Sequence, residues 1–252
     1  MKSKLLILIS LFYCANSFAQ SNLLNAKTPD KINVKTEQQI KKDNDKPLEY
    51  GYVDDRDLLW GKTIWEEIDL GERINFPYYY PIDTLIGSHR RSLYDVIIKN
   101  IKSGAITQVY GDSYFTEKRT LKDIESALTK VDTSDLGIEQ LNAGEEISQE
   151  YIIKTDMNAS FVTGYKIKGI WYFDKRQGEL KYRILGLCPV VPDIFTLESE
   201  EKDYIELFWI FYPNVRTILH EAKAFNDRNS AMPFTFDHLL NSRRFTGVIY
   251  LE

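Results

Sequence analysis

The sequence predicts an α+β domain with a mainly antiparallel sheet and several short helices, and three observations predict it. Two runs rich in aromatic and β-branched residues, Gly164 to Phe173 and Glu179 to Val191, are joined by the polar Asp174-Lys175-Arg176-Gln177-Gly178, the mark of a β-hairpin. Ser92 with Asp95, and Thr120 with Asp123, set a capping hydroxyl three residues ahead of an acid, which marks two helix starts. Helical and extended patterns then mix without regular βαβ alternation.

Residues 1 to 19 read as a secretory signal peptide. Lys2 and Lys4 form a positive start, Leu5 to Tyr13 is apolar apart from Ser10, and Ser17-Phe18-Ala19 sets small residues ahead of a cut at Ala19-Gln20. The apolar run is too short to span a bilayer. Cys14 raises a lipid-anchored alternative, but Tyr13 stands where a lipobox wants a small residue. Residues 20 to 53 are polar, with apolar residues at no regular period, and read as a tether that is flexible on its own.

The folded domain is expected over residues 54 to 252. Leu59, Trp60, Ile64, Trp65 and Ile68 recur at near-helical spacing, which predicts a helix, although Gly61 weakens it. Phe76-Pro77-Tyr78-Tyr79-Tyr80-Pro81 carries two prolines and predicts an irregular strap presenting three tyrosines. From Ser92 a helix carries Leu93, Val96, Ile97 and Ile101 and stops at Gly104. A short strand is expected at Ala105 to Tyr110, a second helix from Thr120, a loop over 131 to 148 and a strand at Tyr151 to Lys154. After the hairpin, Tyr204 to Tyr212 reads as a buried strand, and Pro213 opens a helix to about Phe225. A helix at Asp237 to Asn241 and a strand at Phe245 to Tyr250 close the chain.

Charge narrows the function. Of 32 basic residues the leader removes two, against 37 acids, so the mature chain carries −7. No basic block is present, and nucleic-acid binding is not expected. The mature chain keeps only Cys188, which excludes an internal disulfide and reads as a buried thiol. The 16 Tyr, 13 Phe and 4 Trp suit strand cores and interfaces alike.

The search for chemistry returns no catalytic, cofactor or metal residue. Gly111-Asp112-Ser113 resembles an esterase nucleophile block, yet none of His89, His220 and His238 follows an Asp by three residues. His220-Glu221 lacks a second histidine at i+4. Asp156, Asn158 and Ser160 start like a calcium loop, but Phe161 and Ile167 replace the turn glycine and the bidentate acid. Glu66-Glu67 is an acid pair whose separation from other carboxylates the sequence does not give.

The runs Trp60-Gly61-Lys62-Thr63-Ile64-Trp65-Glu66-Glu67-Ile68-Asp69-Leu70 and Trp171 to Arg183 resemble the gliding-motility family GldN, called PorN in non-gliding bacteria. Asn229 to Pro233 and Asp237 to Phe245 add to the resemblance, which extends from about Asp54 to Tyr250. The tether carries no such signature, and some relatives are expected to continue beyond the last strand.

The resemblance implies a periplasmic, non-enzymatic part of the type IX secretion system of the Bacteroidetes. It implies association with an outer-membrane lipoprotein of the GldK/PorK type, a ring of many copies beneath the outer membrane, and contact with the periplasmic region of a GldM/PorM-type motor protein. A closed ring needs two different surfaces on each subunit. Trp60, Trp65, Tyr78, Tyr79, Tyr80, Arg243 and Arg244 are the candidate interface residues, the two arginines being otherwise a solvated pair. The alternative is a periplasmic carbohydrate-active enzyme or cell-wall-binding module, with Tyr78 to Tyr80 near Asp83 as a sugar platform.

Overall fold

The hairpin expected from the sequence forms the centre of the main sheet. The computed structural model describes residues 28, 45–82, 91–144, 146, 148–197, 199–226 and 234–252. In it β5 (Gly164–Asp174) pairs antiparallel with β6 (Glu179–Pro192). Gly178 closes the turn at φ 68°, its N–H donating to the Asp174 carbonyl at 2.7 Å. The Asp174 carboxylate accepts from the N–H groups of Arg176 and Gln177, so aspartate and glycine together set this turn.

Chain contacts divide at Asp45. Met1–Asp45 is one unit, of which only Thr28 and Asp45 are described, and Lys46–Glu252 is the other. The leader, the Ala19-Gln20 junction, most of the tether, Asp83 and His89 lie outside the described residues. The last residues expected in the tether are held on the domain: Tyr50 donates to Asn241 Oδ1 at 2.8 Å, and Gly51 O accepts from Arg183 at 2.9 Å.

β1 (Leu58–Asp69) flanks β5 from Leu58↔Asp174 to Asp69↔Gly164. This corrects the expected helix. Trp65 and Glu66 are buried on opposite faces of the strand, so the run lacks the alternation that marks a half-exposed strand. Its three-and-four spacing is incidental. Beyond β1 lies β9 (Val248–Leu251) at the sheet edge; on the other side β6 takes β8 (Trp209–Phe211), which takes β2 (Val109–Tyr110). β7 (Tyr204–Glu206) also pairs with β6. β3 (Thr129–Thr133) and β4 (Ile152–Asp156) form a separate antiparallel pair. The mixture of helices with antiparallel strands is the expected α+β architecture.

The strap is also corrected. After a 3-10 turn at Arg73–Asn75, Phe76–Tyr79 makes one helical turn, α1. Pro77 sits in its first turn, where a missing N–H costs no hydrogen bond, and Tyr80 is extended before Pro81. α2 (Leu93–Lys102) starts where Ser92 Oγ accepts from Asp95 N, and Gly104 follows it at φ 78°. α3 (Leu121–Leu128) carries the full Thr120–Asp123 capping box. The expected loop over 131 to 148 instead contains most of β3 and α4 (Asp135–Asn142), capped by Ser134. Leu136, Ile138 and Leu141 on α4 are exposed, so the helical pattern there is not a burial pattern.

The expected strand over 204 to 212 is broken between β7 and β8, where Leu207 N donates to Pro189 O and Phe208 is buried. α5 (Tyr212–Glu221) has Pro213 in its first turn, and α6 (Phe236–Asn241) is capped by Thr235. One face of the sheet, with Ile68, Tyr165, Ile167, Ile184, Leu187 and Ile210, shares a core with Ile97 of α2, Leu219 of α5 and Leu240 of α6.

Candidate interaction surface

Residues opposite one another on neighbouring strands share a face, and the register therefore sorts the predicted interface residues. Trp60 stands opposite Phe173, and Phe173 opposite Leu180. These three make a cross-strand row in which Trp60 is 48% and Leu180 56% exposed. An apolar row in water at the end of a sheet is the kind of feature a partner covers.

Trp65 lies on the other face, and the domain itself uses it. It is 7% exposed and packs with Cys188, Trp209, Tyr110 and Phe115 in a second apolar cluster. Lys168 ends in this cluster, its ammonium 5.0 Å from the Trp65 ring centre and 4.5 Å from that of Tyr114, donating to Ser113 O at 2.9 Å. Burial holds the Lys168 pKa below its usual value. Asp112 arranges the loop that supplies Ser113 and Tyr114, accepting from the N–H groups of Tyr114, Thr116 and Glu117. Gly111-Asp112-Ser113 is thus a loop brace around a caged lysine. Gly186 makes room for it, since a Cβ there would come within 2.8 Å of Phe115.

The three tyrosines separate. Tyr78 is fully buried against Phe236 and Phe245, and its hydroxyl donates to Arg244 O. Buried Tyr78 cannot share a surface platform with its neighbours, which removes the three-ring sugar site. Tyr79 is half-buried, donates to Ser160 O and meets the exposed Tyr80 edge-on at 4.9 Å.

The two arginines also separate and do not act as one pair. One guanidinium nitrogen of Arg243 donates to both carboxylate oxygens of Glu66, and the group lies over Tyr182 at 4.2 Å and Phe245 at 5.1 Å. Arg243 takes φ 50°, the left-handed region, immediately after α6, which turns its side chain away from that of Arg244. Gly169 completes the arrangement, because a Cβ there would collide with the Tyr182 hydroxyl at 2.1 Å. Arg244 is exposed, 4.6 Å over Phe234, in a groove of about 700 Å³ with Arg73 and Ile74.

Trp65, Tyr78 and Arg243 therefore hold the domain together. Trp60, Tyr80 and Arg244 remain outward, with Tyr79 partly so. They do not form one patch: α1 follows the Asp69 end of β1, about 30 Å along the strand from Trp60 at 3.3 Å per residue.

Sequence reasoning missed the network that fixes the helical side. Arg216 donates to Asp237 through Nε at 2.8 Å and Nη2 at 3.1 Å, with Tyr212 and Asn241 donating to the same carboxylate. The ring of Tyr50 lies 4.1 Å from the Arg216 guanidinium and 4.6 Å from that of Arg183, and burial pushes its hydroxyl up to about 12. The sequence marks Asp237, Asn241 and Tyr212 only as ends of elements. Among the described residues, no group of three His, Cys, Asp or Glu is placed to hold a metal, and no helix is long and apolar enough to cross a membrane.

The described domain is an α+β module whose buried charges find their contacts within it and whose outward apolar residues fall into separate patches. The model of the gliding motility associated protein GldN matches residues 53–252, and the chain belongs to that family. Its role thus lies in gliding motility and the related type IX secretion. A search of curated proteins returns no match.

Proposed function

We propose that the protein is a non-enzymatic structural subunit of the periplasmic ring of the type IX secretion and gliding machinery. It is exported by its leader, lies beneath the outer membrane, and binds a GldK/PorK-type lipoprotein and the periplasmic region of a GldM/PorM-type motor protein. The family match over residues 53–252 carries this reading. The geometry supports it, because a head-to-tail ring needs two unlike surfaces. The row Trp60–Phe173–Leu180 and the region of Tyr80 and Arg244 are two such patches at opposite ends of β1.

Isolation of the native complex tests the proposal. The protein should elute in a very large particle with a lipoprotein, and imaging should resolve a closed ring. A protein that elutes alone and releases sugars from cell wall would replace this reading with the carbohydrate-active one.

A further inference from the structure

Strand β9 ends the sheet, and among the described residues no strand pairs with its outer side. Val248, Ile249, Tyr250 and Leu251 are 68%, 46%, 43% and 47% exposed. The strand contains no proline and no charge, the usual devices that keep a sheet edge from pairing. The opposite end of the sheet is closed by its own chain. There Arg119 N donates to Val109 O, Gly111 N donates to Glu117 O, and Lys118 bridges Tyr110 across the free side of β2.

The charge beside the open edge is one-sided. Glu67 is the partner of Val248 in the ladder, and Asp69 follows it on the same face of β1. Both are exposed, and neither has an ion-pair partner among the described residues. Lys166 stands opposite Glu67 but gives its ammonium to Glu206 at 2.9 Å, above the Tyr250 ring. Glu67, Asp69, Thr163, Tyr204, Val248 and Tyr250 line a groove of about 350 Å³ that crosses this face of the sheet from β9 toward β7.

We propose that β9 is a docking edge that receives an extended segment of a partner protein as an added strand, with lysine or arginine alternating with aliphatic residues. The added backbone pairs with the outward N–H and C=O groups of β9. An added strand lies about 10 Å from β1, two strand spacings away, so a long basic side chain passing over Val248 reaches Glu67. The aliphatic residues of the segment fall on the opposite face, beside Ile249. A second copy is the poorer occupant, since its own closed edge is unavailable and pairing β9 with β9 brings two acidic edges together while Lys166 and Lys62 are already paired with Glu206 and Glu252. The inference rests on the reading of the domain as an assembly subunit and names the chemistry of one partner.

The test uses the mature full-length chain and a capped heptapeptide alternating lysine with valine, beside a control with glutamate in place of lysine. The lysine peptide should slow amide hydrogen exchange in Val248–Leu251, and the glutamate peptide should not. The double variant Glu67→Gln, Asp69→Asn, whose exposed side chains leave melting unchanged, should bind the lysine peptide about fivefold more weakly. Absence of protection at β9, or equal binding by both peptides, overturns the proposal. Concentration-dependent dimerisation that protects β9 without peptide assigns the edge to a second copy and also overturns it. A very large native complex persisting in the double variant without loss of any component would defeat the edge while leaving the assembly role intact.

Discussion

Arg243 and Glu66 are 177 positions apart in sequence, yet one nitrogen of Arg243 reaches both carboxylate oxygens of Glu66 at 3.0 Å. The pair ties the segment after α6 to the centre of β1. Glu66 is 1% exposed, so its charge has no other source of compensation. Arg243→Ala should therefore destabilise the domain by about 3 kcal/mol, the usual cost of leaving a buried charge unpaired. The double change Glu66→Leu, Arg243→Met should recover most of that loss. Urea unfolding of the two singles and the double, with an unchanged slope, measures the coupling.

The aromatic candidates divide by what they touch. Tyr78→Ala removes a fully buried ring and should cost about 3–5 kcal/mol of folding stability. Trp60→Ser should change monomer stability far less than Tyr78→Ala, by roughly 1 kcal/mol or less, because about half of Trp60 is already in water. If Trp60 anchors a partner, the native complex should weaken by more than about 2 kcal/mol in the same variant. Thermal melting of the monomer beside sedimentation of the complex separates the two effects.

Alkali should unfold the domain from the tyrosines. Burial raises the pKa of Tyr50 from 10.0 to about 12, and raises those of Tyr78, Tyr94, Tyr165, Tyr182 and Tyr212 as well. Between the unfolded and folded values the native state holds more protons, so stability is complete below about pH 10 and falls as pH rises. The melting temperature should drop steeply above that pH. Ultraviolet titration should show these rings ionising together with unfolding; gradual ionisation in a folded protein would contradict the burial.

Asp112 gives the opposite pH dependence. Hydrogen bonds from the backbone N–H of Glu117, and then from Thr116 and Tyr114, hold its pKa below the usual carboxylate value. The stabilisation is present above the unfolded value and is lost as pH falls through the folded one. Asp112→Ala should loosen the 112–117 loop at neutral pH and speed hydrogen exchange at Tyr114 and Thr116. Wild-type exchange at those amides in the variant would show that the loop holds without its brace.

The sequence was legible where one signal dominates. The Asp174–Gly178 turn, the Ser92 and Thr120 caps and Pro213 each act locally, and each marked its element. β1 was misread because its central Ile64–Glu66 is buried on both faces and shows no alternation, and its Leu59, Trp60, Ile64, Trp65 and Ile68 fell on helical spacing. Phe76–Pro81 was misread because a proline at a helix start and one in a strap look alike. The contacts of the inward-turned charges were out of reach for another reason. Arg243 meets Glu66, and Lys168 meets Ser113 and Tyr114, only after the sheet is assembled, and neighbouring letters such as Arg243 and Arg244 do not reveal that one turns inward.

The clamp on Tyr50 has a mechanical consequence. Its ring lies between Arg183 of β6 and Arg216 of α5, with its hydroxyl on Asn241 of α6. Tension applied through the chain before Lys46 is delivered first to that clamp, in the middle of the domain, and not to the Leu58 end of β1. The load is shared by two guanidinium contacts and a hydrogen bond pulled together, where β1 would open one ladder bond at a time. The hold on Tyr50 must yield before the sheet begins to peel, so Tyr50 takes strain off the first strand.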